Sequence, residues 1–526
     1  MNVAKFVRKG RFVLIGALAC TLCVSVAFAG SVAKGNNGHG YSYGKFHHGK
    51  SHHGNTHSGN LPKYVFYFIG DGMANVQVHA AEAYLAALVE DDATAGSEKA
   101  QLLNMSLFPV QGMSTTFADN RLITDSAAAG TALACGQKTT VGVISQTPDG
   151  NSIATLAEKA KARGMKVGIL TSVTINHATP AVFYSHNTSR NNYQEIAEDL
   201  VNSNFDFFGG GFWNKEANIS VEEAAVENGF TITTNLSDLE AVENGARVIA
   251  FDAAQGDTLE GTHVGALRYE MDRGYVNGMS LADFTENAIR ILDNKNGFFM
   301  MVEGGKIDWA CHANDARAAI DDTIAFDDAI AKAVAFYNQH PNETLIVVTG
   351  DHECGGMTIG WAGTAYDTFF EILQKQTMSF EFFNNTVLST YMAGDEVLPE
   401  DIDTAMWQII YDNFGLDGAG LSSNTDDDLT DYQISQLEDA FDRTVAGTAI
   451  TGSEEDGLLY GGYEALTVTL THVLNNRAGI DFTSYSHTGV PVMVLAKGEN
   501  SELFDGFYDN TDVALKIAQA MGVNLD

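Results

Sequence analysis

A chain of 526 residues with 67 acidic against 30 basic side chains and a net charge of −37 has room for one large α/β domain with additions, or for several of average size. Such an acid excess repels nucleic acid and anionic membrane surfaces, so neither is an expected partner, and it suits a solvated surface. Only Cys135, Cys311 and Cys354 lie beyond the first 29 residues, which allows at most one disulfide there and excludes a disulfide-stapled scaffold.

Residues 1–29 carry Lys5, Arg8, Lys9 and Arg11 ahead of an apolar run from Phe12 to Phe28, and end on Ala27-Phe28-Ala29, a signal peptide with a small-residue cleavage site. Export to the periplasm or the extracellular space is therefore expected, leaving a charge of −41 once those four basic residues are removed. Residues 30–60 are Gly, Ser, Asn and His, with His39, His47, His48, His52, His53 and His57 among almost nothing apolar. They read as a disordered His/Gly-rich linker, with a metal-collecting tail as the alternative.

From Leu61 onward strands and helices alternate. Strands are predicted at Tyr64 to Ile69, Lys166 to Thr171, Asn204 to Phe208, Arg247 to Phe251, Phe298 to Val302, Thr344 to Thr349 and Val490 to Ala496. Helices are predicted at Gln77 to Val89, Ser152 to Arg163, Tyr193 to Val201, Leu281 to Leu292 and Asp315 to Tyr337. The alternation implies an α/β fold, a mostly parallel central sheet with helices on both faces. Residues 363–479 break the order with helical, acidic and aromatic sequence. They read as a large, mostly helical insertion in a catalytic domain spanning 61–526.

Parallel sheets bind ligands beyond the carboxyl ends of their strands. Asp71, Glu303, and Asp351 with His352 each follow a predicted strand. Asp308 and His312 are four apart and share one face of a helix, so they can grip one ion, and His487 supplies another imidazole ahead of the last strand. Asp125 followed by an Ala-rich run predicts a helix starting at Ser126, whose backbone N–H groups point toward any anion.

Seven motifs stand in the order found in alkaline phosphatases: Ile69-Gly-Asp-Gly-Met73, Thr124-Asp-Ser-Ala-Ala128, His177-Ala-Thr-Pro180 with Ser189-Arg190, Val302-Glu-Gly304, Asp308 to His312, Thr349-Gly-Asp-His352 and His487-Thr-Gly489. Over roughly Leu61 to Gly522, the insertion apart, the chain resembles that family. The resemblance implies two zinc ions and one magnesium ion. Asp308, His312 and His487 would hold the first zinc; Asp71, Asp351 and His352 the second, with Ser126 completing the site; Asp71, Thr179 and Glu303 the magnesium. It further implies that Arg190 holds two phosphate oxygens through its planar fork, oriented by Asp125. Phosphate monoesters would then be hydrolysed through a phosphoserine at Ser126, with product phosphate as an inhibitor, and the protein would be a homodimer.

Two positions depart from one common bacterial pattern and resemble marine and cold-adapted members. His177 stands where some relatives have Asp, which predicts competition between zinc and magnesium for the third site. Trp309 stands where others have Lys or His, which predicts weaker retention of phosphate. Cys311 points some 100° away from His312 on a helix, and thiolate-rich sites tend to be closed, so neither Cys311 nor Cys354 is an expected ligand. Cys135 reads as a small buried side chain. The competing readings are a phosphodiesterase of the same superfamily, disfavoured by an Arg190 suited to a terminal phosphate, and a non-catalytic His-rich metal-binding protein.

Overall fold

The computed structural model describes residues 61–89, 101–218, 220–254, 257–259, 262–394, 402–447 and 453–525; the expected leader and linker, 1–29 and 30–60, lie outside them. The strand Tyr64–Gly70 is buried along its whole length, as a strand covered on both faces must be. Its side chains alternate between two apolar cores. Phe66 and Phe68 join Ile320, Phe326 and Ile330 of the helix Ala316–Gln339 on one face. Val65, Tyr67 and Ile69 join the helices Leu156–Ala162 and Asn510–Met521 on the other.

Ten strands form the main sheet, in the order Gly506–Tyr508, Val110–Ser114, Val492–Gly498, Thr344–Gly350, Tyr64–Gly70, Phe298–Glu303, Lys166–Thr174, Phe207–Gly211, Val248–Ala250, Thr231–Thr233. Only Val492–Gly498 runs antiparallel to its neighbours. All seven expected strands are present, and the expected Asn204 to Phe208 lies a few residues later, at Phe207–Gly211. The three that the sequence did not announce, Val110–Ser114, Thr231–Thr233 and Gly506–Tyr508, are short and lie at or beside the sheet margins. Exposed positions there dilute the apolar run that marks a buried strand.

The helix expected from Ser152 begins only at Leu156. Thr155 caps it, accepting from Glu158 N at 3.1 Å while the Glu158 carboxylate accepts from Thr155 N at 2.9 Å. Within 363–479 the main helices are Thr404–Phe414, Asp431–Val445 and Ala465–Ala478. Met406, Ile410, Leu437 and Leu470 belong to the same core as Phe66 and Phe68, so this segment thickens one layer of the domain. Among the described residues no helix is long and apolar enough to cross a membrane.

Three adjacent central strands end at one level, with Ile69 paired to Glu303 and Gly70 to Gly350. The residues that follow them are delivered to one place.

Candidate active site

Asp71, Glu303, Asp351 and His352 sit at these strand ends, all buried. The chain turns at Gly72 with φ +72°, where a Cβ would lie 2.8 Å from Asp308 Cα; glycine alone lets the helix Lys306–His312 come this close. Gly72 N–H also donates to Asp351 Oδ1 at 3.1 Å, as does His352 N–H at 2.8 Å. Across the cleft the helix Ser126–Cys135 begins where expected, with Asp125 Oδ1 accepting from Ala128 N at 3.0 Å.

Three clusters of potential metal-binding atoms result, each with its atoms within 4.8 Å of one another. In the first, His312 Nε2 lies 3.3 Å from Asp308 Oδ2 and His487 Nε2 lies 3.5 Å from Asp308 Oδ1. Each ring donates its Nδ1–H to a backbone carbonyl, His312 to Tyr485 at 2.7 Å and His487 to Thr124 at 2.9 Å. This fixes the tautomers and brings the two Nε2 atoms to 3.1 Å of each other, an arrangement that asks for a shared cation. The second cluster joins His352 Nε2 to Asp71 Oδ1 at 3.3 Å and Asp351 Oδ2 at 3.1 Å, with Ser126 Oγ 3.4 Å from the same nitrogen. The third contains Asp71, Glu303 and His177. Thr179 Oγ1 donates to Asp71 Oδ2 at 3.3 Å, and Thr171 Oγ1 donates to Glu303 Oε2.

Charge crowding at the site is severe. Burial pushes Asp71 well above the carboxylate range, and repulsion from Asp351, Asp308 and Glu303 adds to it. Burial takes Asp351 to about 8, with Asp308 contributing, and Glu303 to about 7. Asp308 goes the other way: burial raises it, but the imidazoles of His312, His487 and His352 together hold it well below its ordinary value. Burial lowers His312, Asp308 more than reverses this, and the ring ends at about 9. Burial and neighbouring imidazoles depress His352, and burial and Arg190 bring His177 to about 3. Meanwhile Asp71 Oδ1, Glu303 Oε1, Asp308 Oδ1 and Asp351 Oδ2 have no hydrogen-bond partner among the described residues. Carboxylates buried and orphaned in this way fit bound cations, and mixed imidazole and carboxylate sets are ordinary zinc donors.

Arg190 is held from two sides. Its Nη1 donates to Asp125 Oδ2 at 3.1 Å and its Nη2 to His177 Nε2 at 3.2 Å, so the cap of the Ser126 helix also sets the guanidinium. Trp309 packs edge-on against His177, ring centroids 5.8 Å apart.

All the singled-out residues therefore converge, with two differences in emphasis. His177, expected behind the ligands, stands among the potential donors beside Asp71 and Glu303. Cys354, expected outside the ligand set, lies in the cluster of Asp308, His312 and His487, because its two-residue strand pairs it with His487. Burial and the charge of Asp308 push its thiol well above its usual range, which keeps it a thiol rather than a thiolate. Cys311 turns toward Gln77 Nε2 at 3.8 Å, and Cys135 is buried against Ser145 Oγ at 3.3 Å. Sequence reasoning missed Gln77, which ties Cys354 O and Glu353 Oε1 to the end of the helix Asn75–Val89, and Lys306, whose Nζ lies 3.5 Å over the Tyr269 ring and 4.7 Å over Trp309. Nothing in the sequence marked Gln77 beyond its place in a predicted helix, and Lys306, two residues before Asp308, was the one available signal.

The family model described as alkaline phosphatase matches residues 62–215 and 242–523. The chain is similar to alkaline phosphatase 3 of Bacillus subtilis (strain 168), 30% identical over 480 residues and covering 88% of this chain and 90% of that protein. The tissue-nonspecific alkaline phosphatase of Mus musculus is 32% identical over 339 residues, covering 55% and 63%. Among solved structures, the cold-active alkaline phosphatase of the psychrophile Shewanella sp. has a TM-score of 0.69 at 27% identity, covering 87% of this chain and 99% of that one. The enzyme of the Antarctic bacterium TAB5 has a TM-score of 0.56 at 25% identity, covering 88% and 99%.

Proposed function

Since the chain belongs to the alkaline phosphatase family, we propose that it is an exported enzyme that hydrolyses phosphate monoesters to alcohol and inorganic phosphate through a phosphoserine at Ser126. The observation that carries this reading is the position of Ser126 Oγ, 3.4 Å from His352 Nε2 at the start of a capped helix and at the meeting point of buried, orphaned carboxylates. Export rests on the leader-like residues 1–29.

Each residue has a task. Asp308, His312 and His487 would hold one zinc, and Asp71, Asp351 and His352 a second beside Ser126. Asp71, Glu303 and Thr179 would hold magnesium, with the His177 imidazole as the donor that lets zinc compete there. When bound, paired divalent ions stabilise the attacking and leaving oxygens of an in-line displacement. Arg190, pre-set by Asp125, grips the phosphate through its fork. The N–H groups at the start of the Ser126 helix add partial positive charge toward the same anion. Ser126 Oγ gives up its proton and bonds to phosphorus as the ester P–O bond breaks, and the departing alkoxide takes up a proton to leave as the alcohol; water then adds its oxygen to phosphorus as the Oγ–P bond breaks, a proton returns to Ser126 Oγ and phosphate is released. A dimer of identical chains is part of the proposal, by analogy with the family.

The test is hydrolysis of a chromogenic phosphate monoester at alkaline pH, before and after chelation and after zinc and magnesium are restored. Activity should vanish on chelation and return with the metals. It should fall at least about 10³-fold in Ser126→Ala, the scale expected for loss of a nucleophile. Full activity in Ser126→Ala would remove the phosphoserine, and no monoester hydrolysis under any metal condition would overturn the reading.

A further inference from the structure

Beside the metal-binding clusters, yet a member of none of them, lies one more buried carboxylate, that of Glu353, 2% exposed. Glu353 directly follows His352 of the second cluster. Its strand, Glu353–Cys354, runs antiparallel to His487–Thr488, with Glu353 opposite Thr488 and Cys354 opposite His487 of the first cluster. A ladder of two residues is a weak join by itself.

The Glu353 carboxylate supplies what the ladder lacks. Its Oε2 accepts from Thr488 Oγ1 and from Gly356 N–H at 3.2 Å, and its Oε1 accepts from Met357 N–H at 3.0 Å and from Gln77 Nε2 at 3.0 Å. Gly355 and Gly356, with φ +84° and +61°, turn the chain back so that the two N–H groups reach it. Gln77, buried as well, passes the tie onward: its Oε1 accepts from Ala74 N–H at 2.9 Å, three residues after Asp71. Cys354 N–H donates to Gly72 O at 3.1 Å, so the segment that carries Asp71 is held to the same point. Every donor to Glu353 is uncharged. A buried polar network satisfied in this way rigidifies the segments that it joins.

What this bracket spaces is a pair of imidazoles. The rings of His352 and His487 lie face to face, centroids 3.6 Å apart and 19° from parallel, although one belongs to each cluster. In-line displacement on paired cations depends on how far apart the two are held, and that follows from where these rings stand. We propose that Glu353 is a positioning residue: by tying the Asp71 and His352 segments to the His487 strand, it sets the spacing and the affinity of the two paired cation sites. The inference rests on the paired-cation part of the proposed function and deepens it.

The test reads metal binding without turnover. Chelated parent, Glu353→Ala and Thr488→Val are loaded with cadmium and followed by cadmium NMR, and their zinc affinities are measured by competition with a chromogenic chelator. In Glu353→Ala the resonances of both paired sites should move or broaden, and zinc affinity should fall about tenfold, the low end of the range for groups that orient metal ligands. Thr488→Val, at a half-buried position and of nearly equal volume, guards against a folding failure in Glu353→Ala. It removes only the bond to the His487 strand and should displace one resonance and weaken zinc binding in part. Ile410→Ala is the control for general stability: it opens a core cavity on the helix Thr404–Phe414, which carries no member of a cluster, and should lower Tm with resonances and affinities unchanged. The proposal is overturned by a folded Glu353→Ala or a Thr488→Val that binds metal like the parent, by an equal loss of binding in Ile410→Ala, or by a parent that takes up no metal. A parent that binds metal as expected but hydrolyses no monoester defeats the phosphatase reading instead, and the variants still decide the role of Glu353.

Discussion

His177 and Trp309 are where this chain sets its own terms on a shared chemistry. Burial and Arg190 hold His177 neutral, with its usual protonation pushed down to about 3, so the ring keeps one nitrogen lone pair, which accepts from Arg190 Nη2 here and reaches a cation beside Asp71 and Glu303 only when the guanidinium turns to phosphate. Nitrogen favours zinc where oxygen favours magnesium. His177→Asp should therefore shift the third site toward magnesium: after equilibration with equimolar zinc and magnesium, metal analysis should find more magnesium per chain than in the parent. An unchanged ratio would show that His177 does not govern that site. Trp309 places a ring, not a charge, against His177, so Trp309→Lys should add an attraction for phosphate and lower its inhibition constant about three- to tenfold, in line with one charge-assisted contact. Unchanged inhibition would remove Trp309 as the cause of weak retention. Asp71, Glu303, Asp351 and His352 were legible from their positions after strands and Asp308 with His312 from helix spacing, whereas Thr179 came only from the resemblance. Cys354's place opposite His487 was not, because a two-residue ladder leaves no periodicity to read.

The Ser126–Cys135 helix joins stability to recognition through one carboxylate. Asp125 Oδ1 caps the helix, while Oδ2 accepts from Gly142 N–H at 3.0 Å and from Arg190. Asp125→Ala should remove the cap, at about 1 kcal/mol, and free the guanidinium, raising KM. Asp125→Asn keeps an acceptor for the cap and should retain most of the stability while still raising KM, since the ion pair with Arg190 is gone. Chemical denaturation read beside Michaelis kinetics separates the two, and parallel losses in both variants would show that cap and clamp are not separable. This helix was predictable because cap and Ala-rich run are local signals. So were the fully buried central strands, where apolar runs are continuous. What the sequence hid depends on distant partners: the short strands at the sheet margins, and the packing of 363–479 into the core of Phe66 and Phe68, where one acidic, helical stretch looked like an addition.

At the scale of the whole molecule, the fold gathers four carboxylates and four imidazoles at and just beyond the ends of its central strands, and its stability should depend on what neutralises them. Without metals, burial holds Glu303 and Asp351 protonated up to about 7 and about 8, above their values in the unfolded chain, while Asp308 holds His312 charged up to about 9. Each of these raised values means that the folded state binds more protons than the unfolded one between the two pKa values, so stability falls as pH rises through that window. Between pH 7 and 9 an unfolded histidine is already neutral, and His177, with its pKa near 3, is neutral in both states, so it does not oppose the trend. Cations that take the place of those protons abolish the dependence, because they bind the ionised ligands and add their own binding free energy to folding. The chelated protein should therefore lose Tm steadily from pH 7 to pH 9, by about 2–4 °C for a chain of this length, while the zinc- and magnesium-loaded protein stays level and melts higher throughout. Calorimetry of both forms across that range is the check. A chelated protein whose Tm is flat or rises with pH would mean that the strand-end carboxylates are neutralised by something other than bound metal.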